Sequence, residues 1–170
     1  MSDVGSLMKR LVGAVLLVCA LVGVACALVA AASGQGAVGR PCLSRISFGV
    51  LPVWARAGFS DPQPRLPHVV GRAGRIAALV FGYPLLSPPS RVRANKILWV
   101  ARISPLSPSS LRISAQRMKG TGKLGRPVER LVVGGPGPSI IDLPAAGCWR
   151  FTLAWSGRAD SLDLNYQANG

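Results

Sequence analysis

The sequence predicts an all-β domain, an antiparallel sandwich of seven or eight strands, preceded by an N-terminal apolar export helix. Three observations predict it. All 14 prolines lie beyond residue 40 and cut that part of the chain into short pieces. Between the prolines apolar residues recur with period two, and the helical period is absent after residue 32. Ahead of this, Lys9 and Arg10 precede residues 11–32, which are 22 residues without a charge, and the polar, flexible residues 33–36 follow.

A positive flank, a long apolar run and small residues at its end make up an export signal. Ala30, Ala31 and Ala32 supply the small side chains a signal peptidase requires, so cleavage after Ala32 is the expected processing. The run is also long enough to stay in the bilayer as a signal anchor. Lipidation at Cys26 is the third route: Val24 and Ala25 fit a lipoprotein signal, while Gly23 stands where a leucine is usual. Cys19 and Cys26 otherwise read as apolar filler. Each route places the rest of the chain outside the cytoplasm, secreted or membrane-anchored.

Residues 33–66 read as an irregular arm. Residues 46–54 form a candidate edge strand, interrupted by Gly49 and Pro52. Residues 60–67 carry Pro62, Pro64 and Pro67 and read as an extended surface segment, because proline removes ladder donors. The sandwich is expected over residues 67–170. Ile76, Ala77, Ala78, Leu79, Val80 and Phe81 form a continuous apolar run, suited to a buried strand, and residues 96–103 form another around Trp99. Leu111, Ile113 and Ala115 alternate with Arg112, Ser114 and Gln116, and shorter strands are expected at 128–133 and 139–143. Residues 87–89, 104–110 and 134–138 read as loops or turns. The clearest strand is 149–156: Trp149, Phe151, Leu153 and Trp155 share one face, Arg150, Thr152 and Ser156 the other. A turn at 157–160 is expected to lead into Leu162, Leu164 and Tyr166, which alternate with Asp163 and Asn165. Short antiparallel strands joined by Pro/Gly turns suit an immunoglobulin-like sandwich. The tryptophans are expected in its core, with Trp54 the best candidate for exposure.

The net charge is +14, and 16 of the 20 basic residues are arginine. Removal of the leader takes away Asp3, Lys9 and Arg10 and leaves the charge nearly unchanged. Such a surface attracts anionic polymers or membranes. Arg112, Arg117, Lys119, Lys123, Arg126 and Arg130 are the densest group and the candidate patch for an anionic partner. A dispersed, solvated surface reflecting arginine-rich composition is the competing reading. Export and the lack of a recognisable motif argue against nucleic acid. Beyond the leader, Cys42 and Cys148 remain, an even pair in an oxidising compartment, expected as a disulfide. By alternation Cys148 lies opposite the Trp149 face, so the bond is expected to tether the arm rather than pin the core.

Little catalytic chemistry is legible. No CxxC, HxxxH, GxSxG or phosphate-loop pattern occurs, so neither metal nor cofactor is expected. His68 is the only histidine. An envelope hydrolase using His68 with Asp61 or another acid is the alternative to a non-enzymatic module that binds or positions a partner at the envelope. Asp160 and Asp163 read as solvated hairpin residues.

The segment Leu143-Pro144-Ala145-Ala146-Gly147-Cys148-Trp149-Arg150-Phe151 resembles the "P-x-GCW-x-hydrophobic" strand entry of a group of small exported bacterial proteins of uncharacterised role. Pro52-Val53-Trp54-Ala55-Arg56 and Asn95-Lys96-Ile97-Leu98-Trp99-Val100 look like the same group. The resemblance covers most of residues 50–166 and implies a β-sandwich ectodomain. It carries over no catalytic residue.

Overall fold

Period-two patterning is realised most fully at the C-terminus. Residues 149, 151, 153 and 155 turn one way and are buried, and 162, 164 and 166 join them from the neighbouring strand. The computed structural model describes residues 42–103 and 109–170. The expected export segment, with Cys19, Cys26 and Ala32, lies outside the described residues, as do residues 104–108 of the expected 104–110 loop.

Among the described residues nine strands follow one another: β1 (His68–Val70), β2 (Ile76–Val80), β3 (Leu85–Ser87), β4 (Lys96–Ala101), β5 (Leu111–Lys119), β6 (Gly122–Val132), β7 (Pro138–Ile140), β8 (Gly147–Trp155) and β9 (Arg158–Ala168). They form a four-stranded sheet in the order β1-β2-β4-β7 and a five-stranded sheet in the order β3-β9-β8-β5-β6. All pairs are antiparallel except β3 with β9. One apolar cluster joins the two sheets. Ile76, Ala78, Val80, Ile97 and Trp99 come from the first, and Leu111, Ile113, Trp149, Phe151, Leu153, Leu162 and Leu164 from the second. Trp99 and Phe151 meet across it at 5.8 Å between centroids, and the Trp99 Nε1–H donates to Ser139 Oγ at 2.9 Å. Tyr166, also in this core, donates its hydroxyl to the Ile141 carbonyl at 2.7 Å. Burial, reinforced by the charge of Asp142 and only partly offset by Arg130, pushes its phenol above the ordinary tyrosine value.

Sequence expectations change at several points. The 46–54 strand does not form; Ser47 bridges to His68 and Val50 to Arg65, and Val53–Ala55 is a single 3-10 turn. Residues 60–63 and 65 are exposed, as expected for the 60–67 segment, but other parts of the arm pack. Leu51, Ala77 and Leu79 form a second apolar cluster, against which Trp54, Phe59, Leu66, Leu98 and Val100 pack. The arm therefore covers the outer face of β2 and β4, which is why β2 is buried on both faces. Arg56 knits it together, donating through Nε to the Leu51 carbonyl at 2.8 Å and through Nη1 to that of Pro62 at 3.2 Å. The final turn is shorter than expected: Ser156 and Gly157, at φ 43° and 71°, make a two-residue turn, and residues 158–160 already belong to β9. Two consecutive positive φ values suit the twist of a tight hairpin. Lastly, Ser87, expected in the 87–89 loop, ends β3, whose three residues pair in parallel with β9.

Candidate functional site

β3 covers only Tyr166–Ala168, so the first two-thirds of β9 would present an open edge. Two segments close it. In the β1–β2 turn, the Arg72 N–H donates to the Ser161 carbonyl at 2.8 Å. Residues 42–46 form a strap on the other side, where Ser44 Oγ accepts the Asp163 N–H at 2.9 Å. The disulfide between Cys42 and Cys148 holds the strap down, with Cα atoms 5.4 Å apart and 106 residues between them in sequence. Cys148 pairs with Asn165 and, being adjacent to the core residue Trp149, faces outward. The bond ties the arm to the outer face of the five-stranded sheet.

Beneath the strap sits Asp163, only 2 % exposed. Its carboxylate accepts the Leu43 N–H at 3.1 Å, Arg72 Nη2 at 2.9 Å and Arg150 Nε at 3.0 Å. Burial on its own raises the carboxyl's pKa. The Arg150 hydrogen bond, the charges of Arg150 and Arg72 and the Leu43 N–H outweigh it and hold the group below the ordinary aspartate value. Asp160, 7 % exposed, does comparable work on the inner side: Oδ1 accepts from the N–H groups of Ala73 at 2.8 Å and Ser161 at 2.7 Å, and Oδ2 from that of Arg75 at 2.9 Å. The expectation of two solvated hairpin acids is overturned. Alternation predicts a side chain's face; it does not foresee that a strap will cover Asp163 on the outer face or that the β1–β2 turn will take up Asp160 on the inner one.

Between strap, β1, β3 and β9 lies a cleft of about 490 Å³. Its apolar wall is Ile46, Val69, Tyr83, Leu85 and Leu164, and its polar rim includes Arg45, Asn165 and Gln167. Among the described residues, none of these three rim side chains has a hydrogen-bonding partner in the protein. Phe48 meets Tyr83 edge to face at 5.1 Å at this end.

The six residues expected to form one basic patch are divided. Arg112 faces outward, paired with Ala154, and Lys123 pairs with the outward Met118. Arg117 pairs with the core-facing Trp149 and donates to the Ala146 carbonyl at 2.6 Å. Arg130 pairs with core-facing Ile113 and donates to the Asp142 carbonyl at 3.1 Å. Lys119 stands at the hairpin tip, opposite Gly122. Arg126 lies in a bulge, where residues 125–127 oppose Gln116 alone and the Gln116 Nε2 donates to the Leu124 carbonyl at 2.9 Å. A bulge breaks the alternation on which a one-face patch depends.

His68 is 4 % exposed and shares the outer face of the first sheet with Leu79, beneath the arm. Its Nδ1 lies 2.8 Å from the Leu66 carbonyl, and Asp61 instead accepts the N–H of Gln63. No carboxylate among the described residues hydrogen-bonds the ring. Trp54, expected exposed, is half-buried against the second cluster. Among the described residues no group of three His, Cys, Asp or Glu side chains is placed to hold a metal, and no helix is long and apolar enough to cross a membrane. In comparisons with known proteins, the chain matches no family model, no curated protein and no solved structure.

Proposed function

We propose that this chain is an exported, non-enzymatic binding module that holds an anionic polymer of the cell envelope. The observation that carries the reading is the strap cleft: Arg45, Asn165 and Gln167, which have no hydrogen-bonding partner among the described residues, line it beside an apolar wall containing Tyr83. Ligand sites combine such a wall with a few unpaired polar groups that fix orientation. The basic charge favours an anionic partner, and the disulfide suits the oxidising compartment to which the leader points. The immunoglobulin-like reading belongs to this proposal. Its support is the order β9-β8-β5-β6, which follows the G-F-C-C′ arrangement of variable-type domains. The other sheet departs from that scheme, since β2 is flanked by β4, a strand that precedes β5.

The test is twofold. Fractionation of cells producing the full chain with a C-terminal tag should place it in the envelope or medium. Titration of the purified chain with acidic and neutral envelope oligosaccharides, followed by NMR, should shift residues 44–46, 83 and 165–167 with the acidic ones. Arg45→Ala and Asn165→Ala should abolish those shifts, and His68→Ala should leave them. Cytoplasmic retention, or shifts indifferent to Arg45, refutes the reading.

A further inference from the structure

At the opposite end of the sandwich edge from the strap, a second and smaller cleft of about 300 Å³ is lined by Ala73, Gly74, Arg75, Arg102, Ile103 and Arg158. Three arginines from three separate parts of the chain line it. Arg75 and Arg102 are cross-strand neighbours, since Ile76 pairs with Ala101 and the Arg102 N–H donates to the Arg75 carbonyl at 2.8 Å. Like charges directly opposite each other on a ladder are destabilising. Arg158 comes from the other sheet, at the start of β9. Arg75 leans toward it, donating through Nη1 to the Ala159 carbonyl at 3.3 Å.

Among the described residues no acid forms an ion pair with the three. The chain has six. Asp3 is outside the described residues, and residues 104–108, which follow Ile103, contain none. Asp61 accepts from Gln63, Glu129 from Ser114, Asp142 from Asn95, and Asp163 from Arg72 and Arg150. Asp160 is the near one, and it tempers the local charge without pairing, because its oxygens are taken up by the N–H groups of Ala73, Arg75 and Ser161. Among the described residues the Arg102 and Arg158 guanidinium groups have no hydrogen-bonding partner.

We propose that this cleft is a phosphate-binding site, in which the guanidinium groups of Arg75, Arg102 and Arg158 grip one tetrahedral oxyanion. The planar forked guanidinium matches phosphate oxygens two at a time. An anion between the three turns their mutual repulsion into attraction. Ile103, 56 % exposed beside them, offers an apolar flank to the group that bears the phosphate. The site is separate from the strap cleft and shares no residue with it.

The full chain is titrated with inorganic phosphate and with phenyl phosphate, against chloride at matched ionic strength. Thermal melting and the Arg Nε–Hε resonances are followed, and vesicles of phosphatidylcholine with and without phosphatidylglycerol form a parallel arm. Phosphate is expected to raise Tm beyond chloride and to shift Arg75, Arg102 and Arg158 saturably. Arg102→Gln and Arg158→Gln should weaken binding by about tenfold or more. Arg112→Gln, which removes an equal charge elsewhere, should not. In the absence of phosphate the Arg102→Gln variant should melt no lower than the parent, because a repulsion is relieved; this separates loss of a ligand contact from loss of the fold. Binding of free phosphate assigns the site to soluble phosphoesters. Phosphatidylglycerol-dependent retention that Arg102→Gln abolishes and Arg112→Gln spares assigns it to a lipid headgroup. If phosphate acts no differently from chloride and vesicle retention is the same for both variants, the proposal is overturned.

Discussion

Replacing Asp163 by alanine removes the one carboxylate that the strap, the β1–β2 turn and β8 share. Three consequences add. The Leu43 N–H loses its acceptor. Arg150 and Arg72 lose their common counter-ion. The strap keeps only the Ser44 contact and the disulfide at this point. Breaking a buried ion pair by removing one partner costs about 3–5 kcal/mol when the survivor stays buried. Here the arginines are 41 % and 30 % exposed and can turn toward water, which lowers the figure. We expect about 2–3 kcal/mol at pH 7, or a fall in Tm of roughly 10 °C for a domain of this size. The pH dependence follows from the depressed carboxyl. The unfolded chain takes up the proton near pH 4, before the folded one does. Asp163 therefore contributes its full stability above about pH 5, and that contribution is lost as the pH falls through the folded value. Urea titrations of the parent, Asp163→Ala and Asp163→Asn between pH 3 and pH 8 measure this. The parent should lose stability toward low pH more steeply than either variant, and the three curves should converge. A variant within about 0.5 kcal/mol of the parent at pH 7 would show that the arginines carry no net attraction.

Cys42→Ser with Cys148→Ser opens a loop of 106 residues and should cost roughly 4–5 kcal/mol at most, read as a shift in urea midpoint under non-reducing conditions. Combined with Asp163→Ala, the loss should fall short of the sum, because both changes free the same strap; additivity within about 0.5 kcal/mol would place the disulfide's effect elsewhere. Asp160→Ala leaves three backbone N–H groups without their acceptor and should cost about 2–3 kcal/mol, with faster amide exchange at Ala73, Arg75 and Ser161 as its local signature. Gly71→Ala should destabilise comparably, since the added Cβ would lie 2.4 Å from Asp160 Oδ2; an unchanged melting curve would mean the turn yields freely. Trp99→Ala empties the centre of the core and should cost about 3–5 kcal/mol by the same urea assay.

The features legible in the sequence are those carried by local patterning. Period two is a property of neighbouring residues, so 149–156 and the alternation of Leu162, Leu164 and Tyr166 were legible, as was the continuous apolar run that became β2. The outward direction of Cys148 follows from the same parity, and the pairing with Cys42 from arithmetic. The irregular pieces were not legible, because their structure depends on what they touch. Residues 42–67 have no period, yet Leu51, Trp54 and Phe59 find a surface in Ala77, Leu79, Leu98 and Val100, and only the assembled sheet offers that surface. The division of the six basic residues was not legible for a related reason. Nearness in sequence grouped Arg112 with Arg130, but the register of β5 and β6 and the bulge between them turn these residues to different faces. Tertiary structure alone brings Arg75, Arg102 and Arg158 to one cleft and buries Asp163 between two arginines more than seventy residues apart in the chain. Electrostatic neighbours are set by distance through space, and no local pattern encodes which distant strands will lie side by side.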